Sequence, residues 1–182
     1  MSDLAKAEEV LDFWLAAGYA AWFTKDEAFD RRCRDGFLGV YEDAAAGRLA
    51  AWEETPVGAL ALVLLLDQFP RNMFRGTPRA FATDPLAREV ADRAIARGFD
   101  ESVAPDLRIF FYLPFEHSED LADQERSVAL HEQAGLTEQM SYAIDHRDII
   151  ARFGRFPHRN RILGRETTAD EQAFLDGGGF AG

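Results

Sequence analysis

Very little in this chain can crosslink it, carry it through a bilayer or grip a polyanion. Cys33 is the single cysteine among 182 residues, which excludes an intrachain disulfide and a multi-cysteine zinc site. Its apolar neighbours at helical spacing mark it as a buried, inert thiol. No apolar run reaches the roughly 18 residues of a membrane span, and Met1 to Glu9 show neither the basic nor the apolar region of a signal peptide. A soluble, cytoplasmic protein is expected. Basic residues are outnumbered, 20 Lys and Arg against 32 Asp and Glu, leaving a formal net charge of -12. A surface of that sign repels phosphate backbones and anionic lipid, so neither nucleic acid nor membrane is an expected partner. A Gly-x-Ser-x-Gly nucleophile turn and a phosphate-binding glycine loop are also missing from the sequence.

What is present is helical punctuation. Alternating strand patterns are nearly absent, while 47% hydrophobic content with fifteen Phe and three Trp supports a substantial core. Leu4, Ala7, Leu11, Trp14 and Leu15 recur on one helical face, with Gly18 as the stop. Thr24 to Glu27 reads as a capping box for a second helix carrying Phe29, Cys33, Phe37, Val40, Tyr41 and Ala44. Thr55-Pro56 opens a helix whose run from Val57 to Leu66 is wholly apolar or glycine, which predicts a central buried helix. Asp84-Pro85 opens the next, and Pro105 a short aromatic one that Pro114 ends. Ser118 and Thr137 are read as caps of two further helices, the latter stopped by Gly154, and Thr168 to Glu171 as a final capping box. Seven to eight helices joined by short connections predict an all-α fold of antiparallel helical hairpins, residues 1–182 forming one domain with a frayed glycine-rich tail over about 177–182.

Two polar segments interrupt this rhythm and resemble each other. Asp67-Gln68-Phe69-Pro70-Arg71-Asn72 and Arg155-Phe156-Pro157-His158-Arg159-Asn160 each place Phe-Pro before Arg-Asn, after a strongly apolar helix. From His146 to Arg165 there are six arginines and one acid, a local +5, whereas Glu116 to Glu125 holds five acids and no base. Arg71, Arg152, Arg155 and Arg159, with Asp67, Gln68, Asn72 and Asn160, are therefore candidate ligand-binding residues for a phosphate or carboxylate. A guanidinium fork grips such groups in two places at once. His117 and His158 are the catalytic candidates, because imidazole exchanges protons near neutral pH, and hydrolytic chemistry would follow from either. On a helix His117, Asp120 and Gln124 would share a face. The competing reading gives the same arginines to helix ends and to ion pairs with the acidic segment. A metal site at His117, Asp120 and His146 has no recognised ligand spacing, so neither metal nor cofactor is implied. His131 reads as partly exposed surface.

Leu-Asp-Phe-Trp at 11–14, Leu-Asp-Gln-Phe-Pro-Arg-Asn at 66–72, Pro-Phe-Glu-His-Ser-Glu-Asp at 114–120 and Gly-Arg-Phe-Pro-His-Arg-Asn at 154–160 together resemble a bacterial family designated domain of unknown function 924. The resemblance runs from about residue 8 to 176, and Leu15 departs from it where Phe is common. It implies an all-helical fold classed with tetratricopeptide-like hairpins and assigns no reaction or catalytic residue. Such a fold can also serve as a scaffold that binds a protein segment, the rival to the small-anion reading.

Overall fold

The structure is a computed structural model that describes residues 3–180, with side chains from residue 5. The expected apolar contact of Leu4 and the last two residues of the expected frayed tail lie outside it. All regular structure among the described residues is helical. The chain divides into two compact units, residues 1–75 with 79–114, and residues 76–78 with 115–182.

Unit 1 is built on α1 (Asp3–Ala17), α2 (Tyr19–Trp22), α3 (Glu27–Ala45), α4 (Pro56–Val63), α5 (Phe69–Met73) and α6 (Asp84–Ala96). Ala7, Val10, Leu11 and Trp14 bury one stripe of α1, as their spacing predicts, whereas Leu15 is exposed. The expected box at Thr24 is replaced by Asp26, whose carboxylate accepts the amides of Ala28 and Phe29. Thr55 caps α4 through the amide of Gly58, and every residue from Gly58 to Gln68 is buried. The predicted central helix is therefore real, and α4 packs against both α1 and α6. An aromatic cluster fills the unit: Trp14 lies 5.3 Å from Phe69 and 5.7 Å from Phe110, and its carbonyl accepts the Trp22 indole at 2.7 Å. Cys33 is buried there, and burial with the nearby Asp30 charge pushes its thiol up to about 12, as an inert thiol requires.

Unit 2 contains α7 (Leu113–Glu116) from its Phe115 onward, α8 (Leu121–Gln133), α9 (Thr137–Phe153) and α10 (Ala169–Asp176). Helices α8 and α9 pack along each other across a three-residue turn, a helical hairpin. Gly154 stops α9 at φ 66°, a left-handed conformation that a Cβ would strain. The predicted box at Thr168 and Glu171 is formed in full. Other boundaries moved. Asp120 caps α8 through the amide of Ala122, while the Ser118 hydroxyl donates to Asp123. Thr137 lies inside α9 without a capping bond, and Pro114 sits in the first turn of α7, where its missing N–H costs nothing, instead of ending the preceding helix.

Candidate functional site

The first Phe-Pro motif lies in unit 1, where a proline must be accommodated inside a buried helix. Pro70 has no N–H to give the carbonyl of Leu66, and its ring crowds that carbonyl. The helix responds by widening: Leu64–Gln68 forms a π-turn in which the Phe69 amide reaches back five residues to Leu64. The carbonyls loosened by this turn find other donors. The Thr83 hydroxyl donates to Leu66 at 2.6 Å, the Arg71 guanidinium to the Asp67 carbonyl at 2.6 Å, and the Asn72 amide to the Gln68 carbonyl at 3.2 Å. Arg71 also forks onto Asp84 at 2.9 and 3.1 Å and stands 3.3 Å from the Asp67 carboxylate, which accepts the Gln68 amide at 2.7 Å. Burial disfavours the Arg71 charge, but the two aspartates more than offset it and raise its pKa. Asp67, Gln68, Arg71 and Asn72 thus come together, each with partners inside unit 1.

The second motif lies in unit 2, and its charges are largely engaged as well. Arg155 grips Glu171 through two nitrogens at 2.6 and 2.9 Å, and the Asn160 amide joins the same carboxylate at 3.2 Å. Arg165 forks onto Glu119 at 2.7 and 3.0 Å, a pairing of the acidic segment with the basic one. Glu119 also accepts the Phe156 amide at 2.8 Å, so it holds the Phe-Pro turn directly. Arg152 is exposed, its guanidinium 4.5 Å from the Phe153 ring centre.

These two carboxylates make stability depend on acid. The Arg155 hydrogen bonds hold Glu171 at about 2, well below its ordinary 4.5. Burial pushes Glu119 up, but hydrogen bonds from Arg165 and the Phe156 amide bring it below that value. A depressed carboxylate contributes its full stabilisation above its unfolded value and loses it as pH falls through the folded one. Thermal midpoints should therefore drop between about pH 4.5 and 2. Glu171→Gln should melt lower than the wild type at pH 6 and show a shallower acid limb; superimposable acid limbs would contradict this assignment.

The four histidines all belong to unit 2, between positions 117 and 158. His117 occupies a turn after α7, Asp120 is exposed and Gln124 is buried with its amide on the Glu116 and Ser118 carbonyls, so the expected shared helical face is not formed. His131 is fully buried, not partly exposed: its ring turns inward from α8 to lie 3.8 Å from the buried Glu116 carboxylate. The Nδ1 atoms of His131 and His146 each lie 2.8 Å from the carbonyl four residues earlier, on Ser127 and Tyr142. A carbonyl only accepts, so both Nδ1 atoms carry the proton and the lone pair resides on Nε2. Glu116 is buried between them, 3.6 Å from His146 Nδ1 and 3.8 Å from His131 Nε2.

His158 and Arg159 lie near His146. The Arg159 guanidinium is buried 4.5 Å over the Phe156 ring, and the His158 ring lies 5.6 Å from the same ring. Burial, then the Arg159 charge, lower His158 to about 3; burial above all, with His117 and Arg159 adding to it, lowers His146 to about 4. Both imidazoles are neutral at pH 7. His158 Nδ1 is buried without a hydrogen-bond partner. Sequence reasoning considered His146 only as a metal ligand and passed over Phe180. His146 lies three residues after buried Ala143 and three before Ile149, the position of a buried-face residue, and Phe180 lay in a tail expected to fray. Its ring packs 4.4 Å from His146 and 5.1 Å from His158. Among the described residues no group of three His, Cys, Asp or Glu is placed to hold a metal ion, so His117, Asp120 and His146 are not assembled as ligands.

The model of the bacterial family of unknown function DUF924 matches residues 10–179. The chain belongs to this family. A solved family-like structure, the protein of unknown function ATU0120 from Agrobacterium tumefaciens, is 52% identical and superposes with a TM-score of 0.94, covering 97% of this chain and 99% of its own. None of the curated proteins matches the chain. The family assignment therefore supports the helical architecture and brings no reaction with it. No helix among the described residues is long and apolar enough to cross a membrane.

Proposed function

We propose that unit 2 binds a small carboxylate- or phosphate-bearing ligand at His158 and Arg159, with His146 alongside. The observation that carries this reading is His158 Nδ1, a buried polar atom with no hydrogen-bond partner, next to a buried guanidinium. An unmet polar atom costs about 1–3 kcal/mol, and a bound ligand is one way of satisfying it. The local field points the same way, because Arg159 resists a second positive charge on either imidazole and an incoming anion would relieve that resistance. Arg155 and Asn160 support the site by anchoring the turn to Glu171. Asp67, Gln68, Arg71 and Asn72 instead serve the π-turn of unit 1. The reading is one of binding, with His158 as the group that takes a proton when the anion arrives. Residence in the cytoplasm and tetratricopeptide-like stacking of the hairpins belong to the same proposal.

Calorimetric titration with inorganic phosphate and with citrate tests it. Binding should be measurable for at least one of them and weaken at least tenfold in His158→Gln at unchanged thermal midpoint. No heat from either anion at millimolar concentration would overturn the reading. The scaffold reading has its own observation, the exposed Leu15, Tyr19 and Phe23 of unit 1, with Tyr19 and Phe23 rings 5.2 Å apart. An open depression of about 650 Å³ on the same unit, lined by Glu9, Asp12, Phe13, Arg32, Asp35, Gly36 and Phe37, includes none of the candidate site residues.

A further inference from the structure

The segment after α10 does not lie at random. Gly178 takes φ 82°, open to glycine, and the Gly179 amide donates to the Phe174 carbonyl at 3.0 Å. A Cβ at Gly179 would come within 2.5 Å of the Phe174 ring, so the backbone passes closer to that ring than any other residue allows. This path delivers the Phe180 ring onto His146 and His158, edge-on to the second, with ring planes at 84°. Each imidazole also meets Phe156, at 5.5 and 5.6 Å. Two imidazoles thus present faces and edges suited to an aromatic ring, and the ring they hold is 39% exposed.

From this arrangement we infer that the ligand of unit 2 is an aromatic acid, and that Phe180 is an internal stand-in occupying the seat of its ring. The inference rests on the anion reading above and names the ligand class for that site. The acid group would meet Arg159 and His158, and the ring would meet His146 and His158 in place of the phenyl of Phe180. Three consecutive glycines at 177–179 give the segment the freedom to leave, because glycine gains more backbone entropy on release than any other residue. A ligand must then displace Phe180, so the chain competes with its own ligand and lowers the apparent affinity by the fraction of time the seat is filled. Glu116, Glu119 and His117 are the other titratable groups around this seat, and none of them is displaced with the ring.

The probes are phenylacetate and acetate, which share the carboxylate and differ in the ring, followed through the imidazole signals of His146 and His158 by NMR. Phe180→Ala should bind phenylacetate at least tenfold more tightly than the wild type does, whereas acetate should bind both proteins equally. Phe180→Leu, which keeps an apolar plug, should stay near the wild type and guards against a general loosening of the fold in the alanine variant. Equal phenylacetate affinity in wild type and Phe180→Ala would overturn the inference, as would a tighter binding of acetate matching that of phenylacetate. If acetate binds and the ring adds nothing, both the aromatic-acid class and the stand-in role of Phe180 fail, while the anion reading stands. If neither acid nor inorganic phosphate binds any of the three proteins, the anion reading fails with it.

Discussion

Arg71→Ala is expected to destabilise the protein by about 3–5 kcal/mol, the usual cost of removing one partner from a buried ion pair. Arg71 is 17% exposed and is the guanidinium between Asp67, fully buried, and Asp84, 9% exposed at the side chain. Removing it leaves two low-dielectric carboxylates with their attraction gone and withdraws the donor from the Asp67 carbonyl. The π-turn would lose one of the donors that make it tolerable. Chemical denaturation reads the effect directly, and Arg71→Met with Asp84→Asn should cost less than the sum of the two single changes, since the pair is coupled. A loss below about 1 kcal/mol would show that Arg71 does not hold the turn together, and would return it to the candidate ligand-binding residues.

Gly58→Ala is the second change with a large expected effect, and its sign runs against helix propensity. Alanine in a helix is favoured over glycine by about 1 kcal/mol. Here the added Cβ would overlap the carbonyl oxygen of Trp52 and lie 2.9 Å from its carbonyl carbon, both backbone atoms that cannot rotate away. The turn carrying Trp52 would have to move off α4, at a cost of about 1–3 kcal/mol or more, as for other overpacked cores. Thermal melting of the variant should show a lower midpoint; a raised midpoint would mean that propensity wins and that the Trp52 turn is free to shift.

Helix existence and order were legible because caps and apolar spacing agree with each other along most of the chain. Thr55-Pro56 and Thr168 to Glu171 form the bonds that their spelling predicts. Boundaries were read less well wherever two residues could cap. At Thr24 and Asp26, and again at Ser118 and Asp120, the aspartate nearer the first apolar residue wins the amides, and the hydroxyl finds other work or none. The π-turn was invisible for a related reason: a proline inside an apolar helix signals a disturbance, but its form depends on Thr83, thirteen residues downstream of Pro70, reaching the Leu66 carbonyl.

The candidate site was legible in its charge and illegible in its partners. The +5 run marked Arg155, Arg159 and Arg165, yet which arginine is spent on a carboxylate depends on where Glu119 and Glu171 fall in space, 46 and 16 residues away from Arg165 and Arg155 respectively. The apparent twin motifs are similar in spelling and different in use. In the first, Arg and Asn serve helix carbonyls; in the second, Arg155 and Asn160 share Glu171 while His158 and Arg159 face a ring cluster. Aromatic contact by Phe180 could not be anticipated from a glycine-rich tail, because its path is set by Phe174 and a left-handed glycine.

The central claim, an anion seat at His158 and Arg159, is tested most directly by imidazole nitrogen NMR at pH 5, with and without inorganic phosphate. Burial and the Arg159 charge should keep both His146 and His158 neutral at that pH in the free protein, since they titrate at about 4 and about 3. A bound anion stabilises the protonated ring, so phosphate should move the His158 nitrogens toward the imidazolium position. A His158 already charged at pH 5 without phosphate, or one whose nitrogens do not move at saturating phosphate, would contradict the account.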